Sequence, residues 1–426
     1  MAKRGLVSVQ VSSTAFVSLG RAQARALGYA DLPIAVIPHP FGTLSRAKVR
    51  ELAEQCVDDI AKLISEATPP NNLINTNAKD TISSVEVRDD VDAVNRLFRD
   101  RRWSDGLPVV PPTVERVSRM LRHTHRNLAD VVANLAPGFG AATVERIAVN
   151  AVMAGCDPEY LPVIIAAVEA MADSRFNLQG IQATTNPVAV WLIVNGPVVK
   201  RLNMNAGMNC LGQGNWANAT LSRALRLIMQ NVGRALPGEM DRATHGQPGK
   251  YIFCCAENED QSPWEPLHVE RGLKRSQSAV TVVGAEGTLN MNTHSKDADE
   301  MIRIFAETLP RPPSNDYCVG GEPWLIISPE HAAILKAGGF GKSDVKRRLW
   351  QESKMPAHRM AKIDMQRTQN ARRTELGEIR PETLLPVSAS HEDIGIIVAG
   401  GPGTHSIYIP SLGSSRATTR EVIWSN

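Results

Sequence analysis

Five short runs rich in branched, aromatic and small apolar residues, at 188–194, 251–256, 279–283, 324–327 and 394–399, constrain this chain more than any other feature. Each is bounded by turn-forming or polar residues and is shorter than an ordinary helix, which reads as a strand buried on both faces. Between them lie segments of helical period at 218–232, 297–308, 329–337 and 343–353. Two more helices occupy 142–173, separated by Gly155-Cys156-Asp157-Pro158. Asp157 can cap the second of these and Pro158 can open it. Strands alternating with helices predict an α/β fold with a mixed or mostly parallel sheet.

The organisation along the chain has three parts. Residues 1–67 read as a small α/β unit: a strand over 5–11, a helix over 17–27, an apolar run at 32–37 suited to a parallel strand, and a helix capped by Ser45. Residues 68–84 (TPPNNLINTNAKDTISS) lack periodicity and read as a linker. Residues 85–426 form the large domain, entered through helices at 91–101 and 114–121, the latter capped by Thr113. No repeat with a period of 20–50 residues is found. A chain of 426 residues buries an adequate core without staples.

Composition excludes several classes of function. Lys and Arg number 47 against 44 Asp and Glu, so no net field draws the chain to nucleic acid or anionic lipid. Six cysteines without a C-x-x-C pair read as reduced thiols rather than a disulfide framework. The N-terminal residues lack the apolar core of a signal peptide, and no stretch reaches the ~20 apolar residues of a membrane span. A cytoplasmic location is expected. The basic residues of 342–373 are expected on a solvated helical face or a subunit contact.

Chemistry is expected in polar loops at the ends of the buried strands. Thr185 and Asn186 precede the strand at 188 and can hydrogen-bond a polar ligand or cap a turn. The loop 203–218 carries Asn209 and Asn215 among glycines and leads into a helix N-terminus, a place for a carboxylate or phosphate. Its Gly212-x-Gly214-x-x-Ala217 matches a dinucleotide fingerprint only superficially, with no clear strand before it and no acidic residue at the right spacing after it. The densest segment runs from His245 to Arg271 and holds Lys250, Cys254, Cys255, Glu257, Glu259, Glu265, His268 and Glu270. Strand alternation puts Cys254 and Cys255 on opposite faces. The loop 284–294 offers Asn290, Asn292 and His294, and the turn at 318–324 offers Glu322.

Four strings carry a resemblance: residues 16–28 (FVSLGRAQARALG), 37–42 (IPHPFG), 103–113 (WSDGLPVVPPT) and the glycine turn at 399–406. Together they resemble the UGSC-motif (seleno)protein family, named for a selenocysteine or cysteine followed by Gly-Ser-Cys. That family is regarded as distantly related to the selenoprotein components of glycine and proline reductases. The resemblance implies a small thiol- or selenol-bearing α/β domain joined to a larger one. No Cys-Gly-Ser-Cys occurs in this sequence, and the segment that would bear it should precede Met1. Two expectations follow: a separate small polypeptide completes the N-terminal unit in a hetero-oligomer, which is favoured, or the thiol chemistry has been lost and the Asn, His and Glu loops serve another reaction.

These readings converge on an enzyme subunit for a small polar, carboxylate-bearing substrate, working by thiol-dependent bond cleavage or a lyase or hydrolase step. Cys255 or a partner's thiol is the expected nucleophile, His268 or His294 the proton-transfer group, and Glu270 a further catalytic carboxylate. Thr185, Asn186, Asn209, Asn215, Lys250, Asn290, Asn292 and Glu322 are expected to hold the substrate. The sequence leaves the cofactor open. Two alternatives stay open. One is a metal-dependent lyase or hydratase using Glu265, His268, Glu270 and His294, although their spacing matches no standard metal pattern. The other is a non-catalytic scaffold for a small catalytic partner.

Overall fold

The computed structural model describes residues 6–67, 84–312 and 314–424. The linker expected over 68–84 falls outside them, residue 84 excepted.

In the N-terminal unit β1 (Gln10–Ser13) and β2 (Ile34–Ile37) pair in parallel, with Gln10 opposite Ile34. α1 (Val17–Ala26) makes the crossover between them, and α2 (Arg46–Glu66) follows. Ser45 caps α2 through the Lys48 amide at 3.3 Å, as its position predicts. The first strand starts later than the expected 5–11. The unit touches the rest of the chain through Gln179 Nε2 donating to Gln23 Oε1 at 2.6 Å, and through Arg242 donating to the Ala15 carbonyl.

The first half of the large domain runs α3 (Val91–Asp100), α4 (Val114–Leu121), the hairpin β3 (Val131–Leu135) and β4 (Gly140–Thr143), α5 (Val144–Ala154), α6 (Leu161–Ala172), α7 (Leu178–Ala183) and β5 (Ala189–Asn195). It continues through α8 (Val198–Arg201), α9 (Trp216–Asn231), β6 (Cys254–Ala256), α10 (Leu267–Glu270), β7 (Ala279–Ala285) and β8 (Leu289–Asn292). The second half runs α11 (Ala298–Thr308), α12 (Asn315–Val319), β9 (Trp324–Ile327), α13 (Pro329–Ala337), α14 (Lys342–Glu352), β10 (Met355–Pro356) and α15 (Lys362–Leu376). It closes with β11 (Leu384–Leu385), β12 (Gly395–Val398), β13 (His405–Ile409) and β14 (Thr418–Glu421).

Two four-stranded mixed sheets result, ordered β14-β7-β5-β6 and β12-β9-β13-β8. Strand parity sorts the core into layers. Val190, Leu192, Val194, Cys254, Ala256, Val280 and Val282 face α5, α6 and α9. Leu325, Ile327, Ile396, Val398 and Tyr408 face α11, α13 and α14. The opposite faces, with Trp191, Ile193, Cys255 and Val283 on one sheet and Trp324, Ile326, Ile397 and Ile409 on the other, pack against each other. The α/β fold expected from sequence is therefore a helix–sheet–sheet–helix sandwich, with every strand face of the central pairs buried.

The sheets repeat one plan. Trp191 pairs with Val283 as Trp324 pairs with Ile409, and Leu192 with Cys254 as Leu325 with Ile396. β5 and β9 each have a parallel neighbour on one side and an antiparallel one on the other. The outermost strands are exchanged: β8 of the first half pairs with β13, and β14 of the second half pairs with β7. The period is far longer than the short repeats sought in the sequence, and only Trp-Leu-Ile-Val against Trp-Leu-Ile-Ile betrays it. The edge strands β8 and β14 carry no apolar run in sequence, since edge strands need none, and the interior strand β13 follows directly on a glycine turn that hides it.

The two tryptophans meet edge to face at 5.7 Å between ring centroids. Gly395 lies opposite Trp324 in the sheet, and a Cβ built there would sit 2.2 Å from the indole. Gly395→Ala is therefore expected to lower stability by about 1–3 kcal/mol through overpacking, read from the urea midpoint by circular dichroism. An unchanged midpoint would mean that the tryptophan layer yields.

Candidate functional site

The carboxyl ends of both parallel strand pairs meet at the loop between α8 and α9. The Ala256 amide donates to the Asn205 carbonyl (3.3 Å), the Gly400 amide to the Ala206 carbonyl (2.9 Å), and the Asn258 amide to the Val398 carbonyl (2.8 Å). Such ends are the usual location of ligand sites in α/β sheets. Buried Asn218, in the first turn of α9, pins this loop: its amide donates to the carbonyls of Asn205 (2.8 Å) and Cys210 (3.0 Å), and its oxygen accepts from the Asn205 amide (3.1 Å).

That pinning sets Cys210 against Cys255 between the two sheets. Cys255 donates a hydrogen bond to the Cys210 sulfur, which holds the Cys210 thiol below its usual range although burial opposes it. The backbone amides of Cys210, Leu211 and Gly400 add to the effect. The same bond, with complete burial, drives the Cys255 thiol well up. Cys254 faces the helices on the other side of β6, and burial raises its thiol too.

Next to the thiols, strand parity directs Asn195 and Glu257 into the same inter-sheet layer. Asn195 Nδ2 donates to Glu257 Oε2 (2.6 Å) and Glu259 Oε1 (3.1 Å), and the Gly196 amide donates to Glu259 Oε1 (2.6 Å). The Leu267 amide also donates to Glu257 Oε2 (2.8 Å). Burial raises the Glu257 pKa, opposed by Lys342, the Leu267 amide and Asn195. His268 is fully buried, with Nδ1 3.6 Å from Glu259 Oε1. Asn195 Oδ1, Glu257 Oε1 and both His268 ring nitrogens have no hydrogen-bond partner. An orphaned buried polar atom costs about 1–3 kcal/mol, so four in one place mark a departure from what folding alone would select.

A cleft of about 460 Å³ opens beside this cluster, with Glu265, Glu270, Lys342, Lys346 and His391 in its wall. Lys342 donates to the Glu265 carbonyl (2.7 Å) and to Glu270 (3.1 Å), and Lys346 also donates to Glu270. Burial works to raise Glu270, but the two lysines together bring it below the usual carboxylate value. Lys342 and Lys346, for which the sequence suggests a solvated helical face or a subunit contact, are buried within the chain, because α14 turns that face toward α10.

The other residues expected in the site are dispersed. Asn290, Asn292 and His294 are exposed on or just beyond the edge strand β8, where Asn290 Oδ1 lies 3.1 Å from His405 Nδ1. Asn209 donates to the Gln213 carbonyl (2.8 Å), and Asn215 caps α9 while donating to the Asn203 carbonyl (2.9 Å), so both serve the loop itself. Lys250 pairs with Asp241 at 2.7 Å. Thr185 is exposed, its carbonyl taken by the Thr244 amide. Among the described residues no group of three or more His, Cys, Asp or Glu is placed to hold a metal ion. Glu265, His268, Glu270 and His294 are thus not gathered as a metal-dependent lyase would need.

Asn186 and Glu322 belong to a second polar cluster at the opposite end of the sandwich. Asn186 and Asn315 both donate to Glu286 Oε1 at 2.6 Å. Asp316 accepts from Ser411 Oγ (2.6 Å) and Tyr408 (2.9 Å). The Glu322 amide donates to Ser411 Oγ at 3.0 Å, and burial raises the Glu322 carboxyl.

These observations define a two-sheet α/β protein with a thiol pair and a buried carboxylate–imidazole cluster at the carboxyl ends of its parallel strands. Residues 1–66 match the family model described as the UGSC family. No curated protein matches the chain. No helix among the described residues is long and apolar enough to cross a membrane.

Asp316 supplies a test of the second cluster. Burial pushes its carboxyl up to about 7, with Glu286 adding repulsion. The folded state then keeps a proton that the unfolded chain releases above pH ~4, so stability should fall as pH rises from ~4 to ~7 and level off beyond. Asp316→Asn should remove part of that fall, on the order of a few kcal/mol, in urea titrations at pH 5 and 8. Parallel pH profiles for the two proteins would refute it.

Proposed function

We propose that this chain is an enzyme subunit that attacks a small polar, carboxylate-bearing substrate with a cysteine thiolate, and that Cys210 is the nucleophile in place of Cys255. One observation carries the reading: Asn218 pins the loop so that Cys210 lies in the same inter-sheet layer as Cys255, and this neighbour together with nearby backbone amides lowers the Cys210 thiol. Cys255, wholly buried and driven the other way, serves as the hydrogen-bond donor. Glu257 and His268 are the proton-transfer pair, since a carboxyl raised by burial can carry a proton at higher pH than an ordinary one. Lys342 and Lys346, two cations sharing one carboxylate in the wall of the cleft, suit a substrate carboxylate. Thiol-dependent bond cleavage and a lyase or hydrolase step share the same first event, formation of a bond from Cys210 to substrate. The match of residues 1–66 to the UGSC family, named for a reactive selenocysteine or cysteine motif, favours thiol chemistry.

Alkylation mapped by peptide mass spectrometry tests this. Cys210 in the native protein should react with iodoacetamide with an inflection below the ~8.5 of a free thiol, and Cys255→Ala should move that inflection upward. Iodoacetate should gain on iodoacetamide at Cys210 by about tenfold, equivalent to ~1.4 kcal/mol, relative to the same thiol in unfolded protein. Lys342→Met with Lys346→Met should cancel that gain. If Cys210 stays unmodified up to pH 9 in folded protein, the thiolate assignment is lost.

The reading includes a partner polypeptide. β1 and β2 make a two-stranded parallel sheet, an arrangement seldom stable without further cover. Val11, Val36, Phe41, Val49 and Val57 of the same unit are exposed. Native mass spectrometry of protein purified from its own host should find a small chain attached, lost when Val11 and Val36 are changed to Lys. A bare homo-oligomer would remove the partner.

A further inference from the structure

Glu257 is 1% exposed, and the two hydrogen bonds it receives fall on a single oxygen. Asn195 Nδ2 (2.6 Å) and the Leu267 amide (2.8 Å) both donate to Oε2, while buried Oε1 receives none. Among the described residues it is the one carboxylate with a buried oxygen lacking a partner. We propose that Glu257 stands in the resting site as a neutral carboxylic acid, with its proton on Oε1 and Asn195 as the residue that positions it. The inference rests on the reading of Glu257 and His268 as the proton-transfer pair. It fixes which way the pair works: Glu257 meets substrate as the general acid.

An ionised carboxylate carries its charge on two equivalent oxygens, and burial calls for donors at both. Three ion-paired carboxylates of the chain follow that rule. Asp241 takes Lys250 on both oxygens (2.8 and 2.7 Å), and Asp105 takes Arg223 on both (2.9 and 2.8 Å). Glu270 takes Lys346 on Oε1 and Lys342 on Oε2. A carboxylic acid is lopsided instead, since its carbonyl oxygen accepts and its hydroxyl donates. Glu257 has the lopsided pattern, with Oε2 as the carbonyl oxygen and Oε1 as the hydroxyl.

The hydroxyl needs an acceptor, and Asn195 supplies one. Its Oδ1 is buried and unpartnered, on the amide already bonded to the same carboxyl. The orientation of that amide is fixed, because Nδ2 also donates to Glu259 Oε1 (3.1 Å) and a flipped oxygen would face two carboxyl groups. One proton on Oε1 therefore answers two of the four orphaned atoms. The charged groups around Glu257 leave it uncommitted. Lys342 of α14 is directed to the Glu265 carbonyl (2.7 Å) and to Glu270 (3.1 Å). Burial raises the carboxyl against the pull of Lys342, and Glu259 adds repulsion. His268 of α10 is fully buried with neither ring nitrogen bonded, so it donates nothing to the carboxyl.

Infrared difference spectra of the full chain at pH 7, wild type against Glu257→Gln, test this. The expected result is one band of a neutral carboxyl above the amide I region, shifted down in D2O and missing from the variant. In Asn195→Ala the band should move to higher frequency, because the carbonyl oxygen loses one of its two donors. That shift also assigns the band should Glu257→Gln not fold. A band unmoved in Asn195→Ala would overturn the positioning role. Absence of the band in folded wild-type protein would overturn the whole proposal, since an ionised carboxylate with Oε1 served by a buried water gives none. The two readings fail separately. A missing band leaves the Cys210 nucleophile standing, with Glu257 as a base. A band present beside a Cys210 inert to iodoacetamide keeps the proton on Glu257 and defeats the nucleophile.

Discussion

The contact between the two sheets governs the rest of this structure. Once Trp191 and Trp324 meet across the midplane, both central strands are covered on both faces, and each sheet must find helices for its outer side. This explains why the strand segments read as continuous apolar runs and not as alternating ones. The reciprocal exchange of β8 and β14 ties the two halves together through main-chain hydrogen bonds. Neither half can then keep a complete sheet without the other, which makes the large domain one cooperative body.

The same contact fixes where chemistry can occur. Face-to-face packing brings the carboxyl ends of two parallel pairs to one place, where the strands stop and the apolar layer must meet solvent. In the second half that boundary is finished as folding alone would finish it. Ser328 Oγ donates to the Gly403 carbonyl (2.9 Å), and buried His331 is engaged by Ser406 Oγ (2.7 Å) and the Thr293 carbonyl (3.1 Å). Matching strand register places Ile397 and Ala399 in the second half where the first has Cys255 and Glu257. The first half leaves Asn195 Oδ1, Glu257 Oε1 and both His268 ring nitrogens without hydrogen-bond partners. Two solutions to one boundary problem, one satisfied and one not, argue that the unsatisfied one is retained for use.

Much of the fold was legible in the sequence because it is written locally. Apolar runs marked β5, β7, β9 and β12, and helical period with caps such as Ser45 and Thr113 marked α2 and α4. The pairing of the halves was not legible, since register and exchange depend on contacts far apart in sequence. The site divided in the same way. The segment holding Cys255, His268 and Glu270 was found by its density of reactive groups. Glu257 and Asn195 carried a readable sign that density alone hides: each is a polar residue of inward parity at the end of a buried strand. Cys210 had no local sign at all, because its character comes from Cys255 and from Gly400, nearly two hundred residues further along.

Electrostatics then separate the roles of groups that composition made equivalent. Cys210 and Cys255 share one proton-poor and one proton-rich position because a single hydrogen bond between sulfurs cannot be donated by both. Backbone amides near Cys210 favour the lower thiol there, while burial raises Cys255. Glu257 and Glu270 divide likewise. Glu270, between two lysines, stays ionised and can orient charge, whereas Glu257, shielded from solvent, can hold a proton. A lowered thiol, a carboxyl raised by burial and an imidazole without hydrogen-bond partners are drawn together from the loop before α9, the end of β6 and α10. The inter-sheet packing is what holds those elements in register.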